Sequence, residues 1–176
     1  MTVKPWKPVA FCFALACAGP AFGQSAERVA AHTDWSVFVA GNPKECYIVS
    51  PPTNSVAARD GTPTEVQRGD IRLFVAFRPG ENVSNEVSFT GGYPFREGST
   101  VTLAVGADSF SLGPGGGEAG EWAWTDPSDD SRVVAALRRG ASAKLTGTSQ
   151  RGTTTEDTFS LAGFTAAVED AAARCQ

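Results

Sequence analysis

Apolar and polar residues alternate in short runs along most of the chain, and turn residues separate the runs, a pattern that predicts half-buried strands. Trp35, Val37 and Val39 share one face of the first run, with Ser36 and Phe38 on the other. In residues 45–50 the same alternation sets Cys46 beside Ile48, and Pro51-Pro52 ends pairing because neither residue can donate to a ladder. Residues 71–77 are apolar on both faces, as expected of a central strand. Residues 86–89 and 100–105 alternate cleanly, and Gly106-Ala107-Asp108 turns the second of these into residues 109–112 as a tight hairpin. Residues 121–124 place Trp122 and Trp124 on one strand face. Ala143 and Leu145 mark a further strand, and residues 153–159 a last one. Residues 53–69, with turn signals at Asp60-Gly61 and Pro63, read as a ragged hairpin or long loop.

The period changes in two places. Val133, Val134 and Leu137 form a helical stripe, with Asp126 as N-cap, Pro127 at the first helical position and Gly140 as the stop. At the end of the chain, Leu161, Phe164, Val168, Ala171 or Ala172, and Cys175 recur at steps of three and four, stacking on one face of a helix capped by Ser160. Cys175 then points where Phe164 and Val168 point, toward the core. The predicted fold is mostly β (β-rich α+β): an antiparallel β-sandwich or open barrel of about eight or nine short strands with two helices, the second C-terminal.

Composition divides the chain of 176 residues. Residues 1–23 have the layout of a signal peptide: Lys4 and Lys7, an apolar run over 9–18, and the small-x-small site Ala21-Phe22-Gly23. A rival reading is lipoprotein processing at Cys17. The apolar run is too short for a stable transmembrane segment. Residues 24–33 read as a loose lead-in and 34–176 as a single β-rich domain. Removing Lys4 and Lys7 takes the formal charge from −4 to −6, a poor match for nucleic acid or an anionic membrane. Cys12 and Cys17 leave with the signal, so Cys46 and Cys175 remain, an even pair that reads as a disulfide in an exported protein. Two unpaired buried thiols are the alternative.

Candidate chemistry is sparse. The single histidine, His32, falls in the lead-in and reads as a solvated surface residue, so no catalytic residue is expected. Two cysteines and one histidine are too few for a zinc site, and no metal or cofactor is expected. Gly115-Gly116-Gly117-Glu118-Ala119-Gly120 matches a dinucleotide fingerprint by letter but opens a strand rather than a helix. Asp126 to Asp130 lacks the glycine and distal Glu of a calcium loop, having Ser131 and Leu137 there. Arg68-Gly69-Asp70 spells an adhesion tripeptide but runs straight into a strand, so a turn with the glycine at positive φ is expected. Glu156-Asp157 reads as a solvated face. Trp35, Trp122 and Trp124 are the candidate binding face, with burial in the core as the alternative.

Several segments carry a resemblance: Asp34-Trp35-Ser36-Val37, Lys44-Glu45-Cys46, Arg68-Gly69-Asp70-Ile71, Ser88-Phe89-Thr90-Gly91-Gly92-Tyr93-Pro94-Phe95, and Asp157-Thr158-Phe159-Ser160-Leu161-Ala162-Gly163-Phe164-Thr165-Ala166-Ala167. In these the chain resembles the invasion-associated locus B family of exported bacterial proteins. The resemblance implies a periplasmic or outer-envelope, non-enzymatic protein with a structural or interaction role and an unknown envelope or protein partner. Many members carry another cysteine where this chain has Val39, which leaves Cys46 with Cys175. The alternative function is a small-ligand or glycan binder using the tryptophan face.

Overall fold

The computed structural model describes residues 26–117 and 120–176, so the signal segment, the Cys17 alternative, and Glu118 and Ala119 of the glycine-rich loop lie outside the described residues. The strands are β1 (Glu27–His32), β2 (Trp35–Ala40), β3 (Glu45–Ser50), β4 (Asn54–Arg59), β5 (Thr62–Pro63), β6 (Arg72–Arg78), β7 (Val83–Thr90), β8 (Val101–Val105), β9 (Asp108–Pro114), β10 (Trp122–Thr125), β11 (Ser142–Thr148) and β12 (Thr153–Ser160). Among the described residues, two α-helices, α1 (Asp130–Arg139) and α2 (Phe164–Arg174), pack beside them.

All the strands belong to one antiparallel 12-stranded sheet in the order β1-β2-β3-β6-β7-β10-β9-β8-β11-β12-β4-β5. The sheet is open, with β1 and β5 as its edges, so the sandwich reading gives way to a single curled sheet. Its curl is visible in the connections. Only Pro51, Pro52 and Thr53 link β3 to β4, although β4 lies near the opposite end of the sheet. The prolines break the β3 ladder, and the Thr53 N–H then pairs with the Thr158 carbonyl at 2.7 Å. Across the interior, Phe89 of β7 meets Phe159 of β12 edge to face, with ring centroids 6.1 Å apart. The alternating apolar residues line this interior: Val37, Ile48, Leu73, Val75, Phe89, Leu103 and Leu145 are all fully buried.

The strand count exceeds the expected one because two weakly patterned segments pair. Within the expected loose lead-in, Glu27–His32 instead forms the edge strand β1 against β2, with a bulge between Arg28 and Ala30. Backbone bonds hold it, which is why Glu-Arg-Val-Ala-Ala-His shows no alternation. Likewise β4 pairs with β12 while Val56 stays 52% exposed, so its ladder, not burial, makes it a strand.

Both helix starts differ from expectation. Helix α1 begins at Asp130 after Asp129. Asp126 instead accepts the Ser128 N–H at 2.9 Å and its hydroxyl at 2.6 Å, closing a turn ahead of the helix. Gly140 has φ −82°, not a left-handed stop. A Cβ there would lie 2.5 Å from Val105 Cγ1, so the glycine is required by close packing. Ser160 ends β12, its hydroxyl accepting the Ala162 N–H, and the N-cap of α2 is Gly163 at φ +86°. A side chain at Gly163 would overlap the His32 carbonyl, so position and handedness both demand glycine.

Trp35 is the seat of α2. It is fully buried, packs edge to face on Phe164 at 5.0 Å, and donates its Nε1–H to the Ser160 carbonyl at 3.0 Å. Phe164, Ala167, Val168 and Ala171 bury the inner face of the helix. Cys175 ends that face in a disulfide to Cys46 of β3, with Cα atoms 5.8 Å apart. The His32 side chain stays 32% exposed, but it is not free: Nε2 lies 3.0 Å from Asp170 Oδ2, tying β1 to α2. His32 first, then Arg174, holds the Asp170 carboxyl below the usual carboxylate range.

Candidate functional site

The alternation that fills the interior also sets a second series of side chains on the outer face of the sheet. In β2, β3, β6 and β10 the outward positions carry Phe38, Tyr47, Phe74, Trp122 and Trp124. Strand order brings them into one stripe. Phe38 stacks on Tyr47 at 5.1 Å with planes 5° apart, Tyr47 meets Phe74 at 6.0 Å, and Phe74 meets Trp122 at 5.2 Å. Trp122 and Trp124 stack at 6.1 Å. β7 lies between β6 and β10 and contributes Ser88, which pairs with both Phe74 and Trp124. Its side chain is small enough for rings to close over it, leaving Ser88 6% exposed on the outer face. Ala76 is covered in the same way at 6%.

A groove of about 510 Å³ runs along this stripe, lined by Tyr47, Phe74, Ala76, Ser88, Trp122 and Trp124. Glu45, Arg78 and Glu86 complete its lining. Arg78 donates to Glu86 through both terminal nitrogens at 3.0 and 2.8 Å, to Glu81 at 2.8 Å, and lies 3.5 Å from Glu45. The paired Glu86 hydrogen bonds hold the guanidinium more firmly protonated than usual. Burial, and then the Glu45 charge, push the Tyr47 phenol above its ordinary value. The groove therefore joins an aromatic floor to a polar end in which every charge has a partner. Its half-buried rings can receive an apolar or planar group, and the polar end can orient one.

Of the three tryptophans of the candidate face, the structure brings Trp122 and Trp124 together and removes Trp35, which points inward under α2. Phe38, Tyr47 and Phe74 take its place. Their signal was their phase, since each stands opposite the core residues of its own strand.

Arg68-Gly69-Asp70 is not a displayed tripeptide. Arg68 makes a bidentate pair with Asp157 at 2.7 Å for both bonds, the two side chains being 8% and 0% exposed. Its Nε–H donates to the Gly91 carbonyl at 2.8 Å, and its guanidinium lies 5.0 Å from the centre of the Tyr93 ring. Ser55 donates to Asp157 at 2.7 Å. Asp157, read as a solvated face, is thus the buried anchor of this end. Gly69 does not carry the positive φ; Gly92 does, at +68°, and a Cβ on it would come 2.6 Å from the Gly69 carbonyl oxygen. These groups close one end of the curled sheet. A second buried carboxylate, Asp130, accepts from Thr125 Oγ1 and from the Val87 N–H at 3.2 Å, and burial raises its pKa above the ordinary value. It fastens α1 to β7 and β10.

Among the described residues, no group of three His, Cys, Asp or Glu side chains is placed to hold a metal ion, and no helix is long and apolar enough to cross a membrane. No family model matches the sequence, nor does any curated protein. Among solved structures, the chain is similar to the crystal structure of invasion associated protein B from Bartonella henselae, with a TM-score of 0.55 and 21% identity over 85% of this chain and 97% of that one. The likeness is one of fold: the two chains share the curled β-rich architecture.

Proposed function

We propose that this chain is an exported, non-enzymatic interaction protein of the bacterial cell envelope, and that its partner surface is the outer aromatic stripe. The observation that carries the reading is the series Phe38, Tyr47, Phe74, Trp122 and Trp124, five rings in continuous contact on the outside of the sheet. Half-buried aromatic residues gathered in one groove supply contact area at low entropic cost and are enriched where proteins meet. The fold likeness to invasion associated protein B and the buried disulfide support export to an oxidising compartment. His32 is bonded to Asp170 and lines neither the aromatic groove nor the ion-paired end, which supports a role without catalysis.

The test is retention of an envelope protein on the immobilised, disulfide-intact domain. Trp122→Ala with Trp124→Ala should abolish retention while leaving the melting temperature close to that of the wild type, since neither ring belongs to the inner core. Equal retention by the double variant would sink the assignment of this face. The groove volume favours a second reading, a small ligand or glycan stacked on Trp122 and Trp124. It predicts a saturable change in tryptophan fluorescence in a ligand screen.

A further inference from the structure

A second cavity, of about 460 Å³, lies away from the aromatic stripe, between the end of β4, residues 65–68, the Tyr93-Pro94 loop and the turn joining β11 to β12. Its chemistry is the reverse of the first. Arg59, Arg68 and Arg151 line it together with Gln67, Gln150, Ser149, Thr153, Thr155 and the Tyr93 phenol. The carboxylates nearby are Glu65 on the lining and Asp157 behind it.

Hydrogen-bond bookkeeping separates the three arginines. Arg68 is spent: its donors go to both Asp157 oxygens and to the Gly91 carbonyl. Arg59 gives Nε–H and one Nη2–H to Thr153 Oγ1, at 3.3 and 2.9 Å, which aims the guanidinium over the cavity wall and leaves its other donors unspent. Arg151 makes no side-chain hydrogen bond or ion pair among the described residues, and neither Arg59 nor Glu65 is within an ion pair there. A further guanidinium, that of Arg96, lies against Gly152 in the same turn. The neutral groups are prepared as well. Ser149 Oγ accepts the Thr153 N–H at 3.1 Å, so its own hydroxyl proton is available to donate, while Tyr93 and Thr155 hydroxyls are joined at 2.6 Å in the wall.

The unspent guanidinium of Arg151 and the remaining donors of Arg59, beside a wall of hydroxyls and amides, fit an oxyanion carried on a molecule with several oxygens of its own. The chain as a whole has a formal charge of −4, which disfavours a long polyanion at range and suits a small one. We propose that this cavity binds a small polyhydroxylated oxyanion, a sugar acid or a sugar phosphate, through Arg59 and Arg151, with the hydroxyls and amides reading the sugar. The site is independent of the aromatic stripe.

The experiment titrates the isotopically labelled, disulfide-intact protein with D-galacturonate, glucose 6-phosphate, galactose and inorganic phosphate at constant ionic strength, following amide and indole resonances. Galacturonate or glucose 6-phosphate should give saturable shifts at Tyr93, Gln150, Arg151 and Thr153 and none at the indoles of Trp122 and Trp124. Which of the two binds tells a carboxylate from a phosphate. Galactose should bind at least about tenfold more weakly, as should either ligand to Arg59→Gln/Arg151→Gln, the loss of one charge-assisted hydrogen bond or more. Arg151→Gln alone, whose side chain holds nothing in place, repeats the test should the double variant melt early. No saturable shift with any probe overturns the proposal, as does unchanged affinity in both variants or galactose binding as tightly as galacturonate. Inorganic phosphate binding as tightly as the sugar phosphate overturns the reading of the sugar.

Discussion

Removing the Cys46–Cys175 disulfide tests how the last helix is held. The bond joins residues separated by 129 positions, for which the chain-entropy estimate is about 5 kcal/mol of constraint on the unfolded state. The helix does not depend on it alone. Phe164, Ala167, Val168 and Ala171 are fully buried, Trp35 keeps its contact with Phe164, and Asp170 keeps His32. A net loss of about 3–5 kcal/mol is therefore expected for Cys46→Ala/Cys175→Ala, with a fall in melting temperature of roughly 6–20 °C. Reducing the native protein is the poorer perturbation, because Cys46 is 0% and Cys175 7% exposed, and reductant must wait for the chain to open. The assay is urea and thermal unfolding of variant and wild type, joined to hydrogen exchange resolved by segment. In the variant, amides of Phe164–Arg174 should exchange before those of β6 and β7, since a terminal element that has lost its covalent tie opens more readily than central strands paired on both sides. A melting temperature within about 2 °C of the wild type, or exchange in α2 as slow as in β6, would refute the staple as the main restraint on this helix.

Asp157→Asn should cost about 3–5 kcal/mol, because it strands the buried Arg68 guanidinium without its counter-charge, and urea unfolding measures it. Gly163→Ala should cost more than about 2 kcal/mol through left-handed strain and overlap with the His32 carbonyl, read as an early thermal transition. Asp130 has a folded-state pKa raised by burial, so its contribution to stability is complete below the unfolded value of about 3.9 and is lost as pH rises through the folded value. The stability of the wild type relative to Asp130→Asn should accordingly grow as pH is lowered from neutrality toward about 4, and unchanged relative stability would contradict the burial of that carboxyl.

The inner face was legible because burial enforces alternation: Trp35, Val37, Cys46, Ile48, Val101 and Leu103 stand where the period of two puts them. The disulfide was legible because Cys46 and Cys175 are the two cysteines outside the segment expected to be a signal peptide. Strand β1 was not, since an exposed strand held by backbone bonds needs no apolar phase, whereas the β4–β5 hairpin was legible as one alternative for residues 53–69 through its turn signals at Asp60-Gly61 and Pro63. One sheet could not be told from two, because pairing such as β10 with β7 or β12 with β4 joins segments distant in sequence. Helix ends misled for a tertiary reason. Ser160 and Asp126 are good caps by type, but the His32 carbonyl and the burial of Asp130 decide where α2 and α1 begin. The outer aromatic stripe was half legible. An aromatic residue in a strand looks alike in either phase, and only the sheet order shows that Phe38, Tyr47, Phe74, Trp122 and Trp124 share a side.

The curl of the open sheet is bridged at two places, and several of the segments that carry the resemblance fall there. Trp35, Ser160, Gly163 and Phe164 form the corner where α2 docks on the β1–β2 turn. Arg68, Gly69, Gly92, Tyr93 and Asp157 form the ion-paired end. The five rings of the outer stripe lie outside every one of those segments, and so do Arg59 and Arg151. A fold shared at 21% identity is thus compatible with different partners. The proposed partner surface is Phe38, Tyr47, Phe74, Trp122 and Trp124, and exchanging those rings for polar residues should change what the protein binds while leaving how it folds intact.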